Sequence, residues 1–227
     1  MRNRAAKVHG LHAIGIHVVP VALSLLLAVI ALAHAQTSPS GATQPAPLAA
    51  LQQLLQAVSN GDEKPAFSLI HYSKPENRQI CETILAEAAA RHRLSAAVAE
   101  AFKDDPTAAA LQSNLLLDDQ AVLTRLDKAK VTVKTDAAEV TVDATIPAFE
   151  MVNKDGKWLL DFEKTQENAG PLPKARDVAE SARRTQIYNQ IAADLKAKKF
   201  QNARDVAEAI QNAQNAVQLA PLEELKQ

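Results

Sequence analysis

Glycine is scarce in this chain, with six among 227 residues. Gly10 and Gly15 fall in a segment read below as an export signal. Only Gly41, Gly61, Gly156 and Gly170 remain beyond it, and each stands alone. A phosphate-cradling loop, a dinucleotide fingerprint and a G-x-S-x-G elbow all need glycine where the backbone must approach closely or turn sharply. None of the three can be written from these four. Cysteine is sparser still. Cys81 is the single thiol, so neither an intramolecular disulfide nor a cysteine-based zinc site is available. It is expected to pack as a small apolar residue on a helix, and a disulfide-linked dimer is the alternative. Aromatic residues make up 4% of the chain. Histidine is lost with the signal too. Beyond it only His71 and His92 remain, 21 positions apart, which is a poor basis for a metal site. No metal and no cofactor is expected.

Alanine fills much of the space left by these absences. It accounts for 44 of the 227 residues, within a hydrophobic content of 47%. Charge is balanced, so the composition is that of a folded chain with Ala-rich helices rather than a disordered one.

Residues 1–35 carry the pattern of a secretory signal peptide. Arg2, Arg4 and Lys7 form a basic start. Val18 to Leu32 is an apolar run broken only by Pro20 and Ser24. Ala33-His34-Ala35 then places small residues where a signal peptidase reads them. Cleavage is expected before Gln36. The run covers 15 residues, and a membrane span needs about 20, so only an uncleaved signal would anchor the chain. Export to the periplasm or outside the cell is the expected localisation. Cleavage leaves 22 basic against 26 acidic residues, a net charge of −4. That balance offers no electrostatic basis for nucleic-acid binding.

Residues 36–47 are a disordered linker by composition. Leu48, Leu51, Leu55 and Val58 then recur on one helical face, and Ser59-Asn60-Gly61 closes that helix. Asp62 is placed to cap a short helix holding Pro65, Phe67, Leu69 and Ile70. Glu76 to Phe102 is expected to form one long helix, with Ile80, Ile84, Ala88, Val98 and Phe102 in one sector. Asp104-Asp105-Pro106 stops it. A further helical turn or loop covers Thr107 to Asp119.

The apolar period then changes to two. Val131 and Val133, Val140 and Val142, and Trp158, Leu160 and Phe162 alternate with other residues, which predicts half-buried antiparallel strands. Residues 121–126 are expected to add another. Asp136-Ala137 and Asn153-Lys154-Asp155-Gly156 read as turns. Gly170-Pro171-Leu172-Pro173 marks a boundary. Beyond it Ile187, Tyr188, Ile191 and Leu195 form one stripe, and Ala203, Val206, Ile210, Ala213 and Val217 another. They predict a helical hairpin turning near Lys199. Ala-Arg-Asp-Val-Ala-Glu occurs at both 175–180 and 203–208, and shared helix-start chemistry explains it better than duplication. The expected class is α+β. A unit over 48–168 is followed by the helical hairpin over 169–227.

Chemistry-bearing candidates are few. Asp104-Asp105 and Asp118-Asp119 lack the ligand spacing of a calcium loop and read as solvated helix ends. Arg91-His92-Arg93 reads as a solvated basic face. His71, Tyr72 and Asp161 are the one set of residues able to act as acid and base, because an imidazole can do either near neutral pH, and Asp161 is the candidate to orient it. Asp161, however, alternates out of phase with Trp158, Leu160 and Phe162, so it should face solvent or a different layer.

Two stretches resemble the NTF2-like superfamily, which includes SnoaL-like and lumazine-binding-like domains. One is Asn60-Gly61-Asp62 after an amphipathic helix, followed by a short helix with Phe67 and Ile70. The other is Asp155-Gly156-Lys157-Trp158-Leu159-Leu160-Asp161, similar to that family's closing hairpin. The resemblance covers about residues 48–165. It implies a curved antiparallel sheet wrapped round N-terminal helices as a cone with an apolar pocket. Phe149, Trp158 and Leu160 would then be the ligand-lining residues. The long helix follows His71-Tyr72 almost directly, leaving no legible first strand. Three functions are compatible with such a chain. One is a non-catalytic exported module binding a small apolar ligand or an envelope protein. A second is a SnoaL-type isomerase or hydrolase. The third is a cell-envelope assembly protein that oligomerises through its helices.

Overall fold

The computed structural model describes residues 46–116, 122 and 125–225. The expected signal peptide, nearly all of the linker, Asp118-Asp119 and part of the expected strand 121–126 lie outside these residues. No helix among the described residues is long and apolar enough to cross a membrane.

The chain is α+β, with helices at both ends of an open five-stranded sheet. Helix α1 spans Ala46–Ser59 and buries Leu48, Leu51, Leu54, Leu55 and Val58, the face its leucine spacing requires. It closes as expected at Gly61, whose φ of +75° is a left-handed conformation that favours glycine. Gly61 N donates to Val58 O at 2.9 Å and Asp62 N to Ala57 O at 2.8 Å. Those two bonds satisfy carbonyls the helix end would otherwise leave open. Short helix α2 (Glu63–Phe67) follows, without a side-chain cap from Asp62.

Strand β1 is only Ile70–His71. It is the strand the sequence did not disclose, because two residues show no periodicity. It pairs parallel to β5 (Lys157–Asp161), Ile70 with Leu160 and His71 with Asp161. The rest is an antiparallel meander of β2 (Lys130–Lys134), β3 (Ala137–Thr141), β4 (Phe149–Lys154) and β5. Sheet order is β1-β5-β4-β3-β2, so the sheet is mixed rather than wholly antiparallel. The β4–β5 turn is where the sequence places it, with Asp155 and Gly156 at φ 54° and 81°. The β2–β3 turn falls one residue earlier than expected, on Thr135-Asp136. The expected strand at 121–126 is not formed at its end. Leu126–Lys128 is a 3-10 turn, and Leu126 and Val122 bury their side chains in the core. Short apolar runs look alike in strand and turn, so periodicity could not separate them.

Helix α3 runs Pro75–Ala101 and is the longest element among the described residues. Helix α4 (Pro106–Leu115) is capped by Asp105, which accepts from Thr107 N at 2.7 Å. Helix α5 (Phe162–Ala169) begins directly after β5 and has no counterpart in the sequence reading. Helices α6 (Ala175–Lys196) and α7 (Ala203–Leu219) form the expected hairpin, and α8 (Leu222–Leu225) ends it. The repeated hexapeptide starts both helices of the hairpin. Asp177 accepts from Lys174 N at 2.8 Å, and Asp205 accepts from Gln201 N at 3.1 Å. An aspartate in the first turn satisfies an open N–H and complements the helix dipole. Shared helix-start chemistry is therefore what the two copies have in common.

Two cores share α3. The first holds the leucines of α1, the sheet residues Ala138, Val140, Phe149, Met151 and Leu160, and Cys81, Ile84, Leu85 and Ala88 from the first half of α3. The second holds Ala90, Leu94, Ala97 and Val98 from its second half, with Leu111 of α4, Ile191 and Leu195 of α6, and Val206 and Ile210 of α7. The expectation of one apolar sector on α3 is thus corrected. Alanine is apolar enough to be buried on any side, and it flattens the amphipathic signal that would show two faces.

The most extensive helix–helix contact is α3 against α6. A bidentate ion pair is set into it. Arg184 Nε lies 2.7 Å from Glu87 Oε1 and Nη2 lies 3.0 Å from Oε2, with both side chains 14% exposed. Glu180 adds a contact at 3.4 Å. Burial alone would pull the Arg184 pKa down, but the charge of Glu87 outweighs it and raises the pKa. Removing one partner leaves an uncompensated charge, so Glu87→Leu or Arg184→Leu alone is expected to cost about 3 kcal/mol in urea unfolding. The double leucine variant is expected to recover most of that loss. Additive losses in the double variant would show that the pair is not coupled.

Candidate functional site

The parallel β1–β5 pairing carries the candidate residues to one end of the sheet. Partners in register share a face, so His71 and Asp161 are lateral neighbours on the side away from α1. This is the pair the sequence nominated. Its chemistry is engaged elsewhere. Asp161 is 3% exposed and stands at the start of α5. Its Oδ1 accepts from Lys164 N at 3.2 Å and its Oδ2 lies 3.6 Å from Lys164 Nζ. Asp161 is thus the N-cap of α5, and the different layer it faces is that helix. No hydrogen bond joins it to the partly exposed His71 among the described residues.

Tyr72 continues the chain onto the opposite face. It packs into the first core, 6.1 Å from Phe162 between ring centroids at an interplanar angle of 52°. Its hydroxyl is buried without a nitrogen or oxygen partner among the described residues and lies against the Cys81 thiol. Burial pushes both groups well above their ordinary pKa values. The sheet therefore separates His71 and Asp161 from Tyr72. Cys81 is 1% exposed and sits inside a core, as a packed apolar residue would. A disulfide to a second chain would first require that core to open.

The candidate lining residues lie on the face covered by α1 and α3. Phe149 stands opposite Val140, and Leu160 opposite Met151. Phe149 is 2% exposed and Leu160 is fully buried. Trp158 is half-buried at the rim, opposite Asn153. These side chains fill the interface between sheet and helices.

Two arrangements near these residues had no sequence signal. The first is Glu163 on α5. It accepts from Ser73 N at 2.9 Å, Lys74 N at 3.0 Å and Asn77 Nδ2 at 3.1 Å. A carboxylate from after the sheet thereby caps the long helix that precedes it. The sequence separation of about 90 residues hides this from any local capping pattern. The second is a cleft of about 400 Å³ between the end of α1, α3 and α6. Ala96, Ala97, Ala192 and Ala193 form its floor, with Glu100 and Lys196 at one end and Arg93 at the other. Arg93 is held by three groups: Gly61 O at 2.7 Å, Glu63 Oε1 at 2.8 Å and Asn189 Oδ1 at 3.1 Å. A Cβ on Gly61 would come within 2.7 Å of Arg93 Cγ, so glycine is required there for approach as well as conformation. The reading of Arg91-His92-Arg93 as a solvated face is corrected here. His92 is buried and Arg93 ties α3 to α2 and α6. Docking of α6 covers the segment, and α6 follows it by some 80 positions.

No group of three or more histidine, cysteine, aspartate or glutamate side chains able to hold a metal occurs among the described residues. No protein-family model, curated protein or solved structure matches this chain.

Burial raises the Glu163 pKa, but the donated hydrogen bonds outweigh it and hold the carboxyl below its ordinary value. A depressed pKa stabilises the fold above the unfolded value and loses that contribution as pH falls through the folded value. Glu163→Gln is expected to cost about 1–2 kcal/mol at neutral pH. Its deficit against the parent should shrink as the pH is lowered below about 4.5. Chemical denaturation across that range measures it, and a deficit independent of pH would remove the charge argument. Cys81 is expected to resist thiol reagents such as dithionitrobenzoate in the native chain and to react completely in denaturant. Rapid native labelling would contradict its burial.

Proposed function

We propose that the chain is an exported, non-catalytic module of NTF2-like build whose role is to bind a protein partner. One observation carries this reading. The apolar face that would line a ligand pocket in such a domain is filled by the chain's own α1 and α3, with Phe149 and Leu160 inside the packed core. A filled interior leaves the outer surface as the place for recognition. The build is supported by the order of elements: an amphipathic helix, the Asn60-Gly61-Asp62 turn, a short helix, and a meander closing on the Asp155-Gly156 hairpin. The acid–base candidates support a non-catalytic role, because Asp161 caps a helix and the Tyr72 hydroxyl belongs to the core. Export rests on the basic start, apolar run and Ala33-His34-Ala35 of the sequence.

The small-ligand reading differs in a measurable way. Titration with the apolar dye anilinonaphthalene sulfonate is expected to give no saturable fluorescence increase in the native protein. A saturable increase that Trp158→Ala abolishes would instead place an accessible apolar pocket beside Trp158 and overturn the partner-binding reading.

A further inference from the structure

Strand β2 ends the sheet, and among the described residues nothing pairs with its outer side. The two-residue turn Thr135-Asp136 makes Lys134 and Ala137 a hydrogen-bonded pair, and the alternation continues to Thr132 with Glu139 and Lys130 with Thr141. The N–H and C=O groups of Val131 and Val133 therefore point outward, away from β3. Side chains alternate the other way. Val133 is a large apolar residue left 53% exposed. Lys130, Thr132 and Lys134 are exposed on the opposite face. Four strand positions put the two lysines about 13 Å apart. Neither has an ion pair among the described residues. The nearest acid across the ladder, Glu139, stands opposite Thr132 and accepts from Thr141 Oγ1 at 3.1 Å.

This pattern selects its occupant. A second copy pairing antiparallel about Thr132 would set Lys130 against the copy's Lys134 at both ends, and like charges directly opposite are destabilising. Lysine on an edge is a common guard against such self-pairing. A strand with acids at the two positions facing the lysines would turn the same charges into attraction. Apolar residues between those acids would cover Val133.

We propose that β2 is a docking edge for an extended acidic segment of a partner protein, added as a sixth strand. The segment would bond to the outward backbone of Val131 and Val133 and place carboxylates against Lys130 and Lys134. Strand addition takes affinity from main-chain bonds and specificity from alternate side chains. This rests on the partner-binding reading above and names the partner's chemistry.

The probe is a blocked, fluorescent peptide of sequence Gly-Glu-Val-Thr-Val-Glu-Gly, titrated into the full chain by anisotropy. Saturable binding is expected. It should weaken at least about tenfold when the peptide amides that face the edge are N-methylated, which leaves the protein untouched. Val133→Pro removes one outward N–H without disturbing the β2–β3 ladder, and the same loss is expected. Reversing both lysines, Lys130→Glu with Lys134→Glu, should abolish binding of this peptide and create binding of its lysine counterpart. No saturable binding, or binding indifferent to N-methylation, would overturn the docking edge, the latter showing diffuse charge attraction only. Either result leaves the partner-binding reading standing, since that reading falls on the dye titration instead.

Discussion

Helix α3 is buried along two separate faces, and the rest of the structure depends on that. Its first half closes the sheet's apolar face through Cys81, Ile84, Leu85 and Ala88. Its second half is the wall on which α4 and α6 pack, and α7 closes over those two. Small side chains make this possible. Ala88, Ala89, Ala90 and Ala97 let neighbouring elements come close on more than one side, and little rotamer entropy is lost in burying them. Alanine contacts specify orientation weakly. The Glu87–Arg184 pair supplies direction where the helices cross, because its two parallel bonds are satisfied in one register only. Glu163 does the same at the other end of α3 by capping its first turn from beyond the sheet.

The same economy decides which surfaces are filled. With the sheet's inner face filled by α1 and α3, the interior is occupied by structure. Polar groups that look reactive in isolation turn out to terminate helices or bridge them. Asp161 begins α5, Asp105 begins α4, and Arg93 joins α3 to the α1–α2 turn and to α6. Among the described residues no strand lies beside the outer edge of β2, where the outward backbone of Val131 and Val133 alternates with two lysines that have no ion pair.

Local order was largely legible. The spacing of Leu48, Leu51 and Leu55 placed α1, Gly61 and Gly156 placed their turns, and the stripes of α6 and α7 placed the hairpin. Legibility failed where the determining contact is distant. Ile70–His71 becomes a strand only because β5 arrives beside it. Phe162 continues the alternation of β5 on paper, yet the Asp161 cap turns the chain into helix at that point. Arg91-His92-Arg93 read as a solvated face because the helix that covers it follows far along the chain. Of the candidate site, the β1–β5 register makes His71 and Asp161 neighbours without a hydrogen bond between them, and Tyr72 lies across the pleat of the sheet.

The sequence by itself determined the α+β class, the first helix, the turns at Gly61 and Gly156, the C-terminal hairpin, and the absence of glycine-dependent phosphate and hydrolase loops. Those follow from periodicity and residue type, which act within a few positions. Only the tertiary structure decided that α3 serves two cores, that Asp161 and Glu163 cap helices, that the apolar sheet face is filled, and that β2 has no strand on its outer side among the described residues. Each of these is a pairing between segments tens of residues apart, chosen by which surfaces remain to be buried once local structure has formed, and no local pattern records that choice.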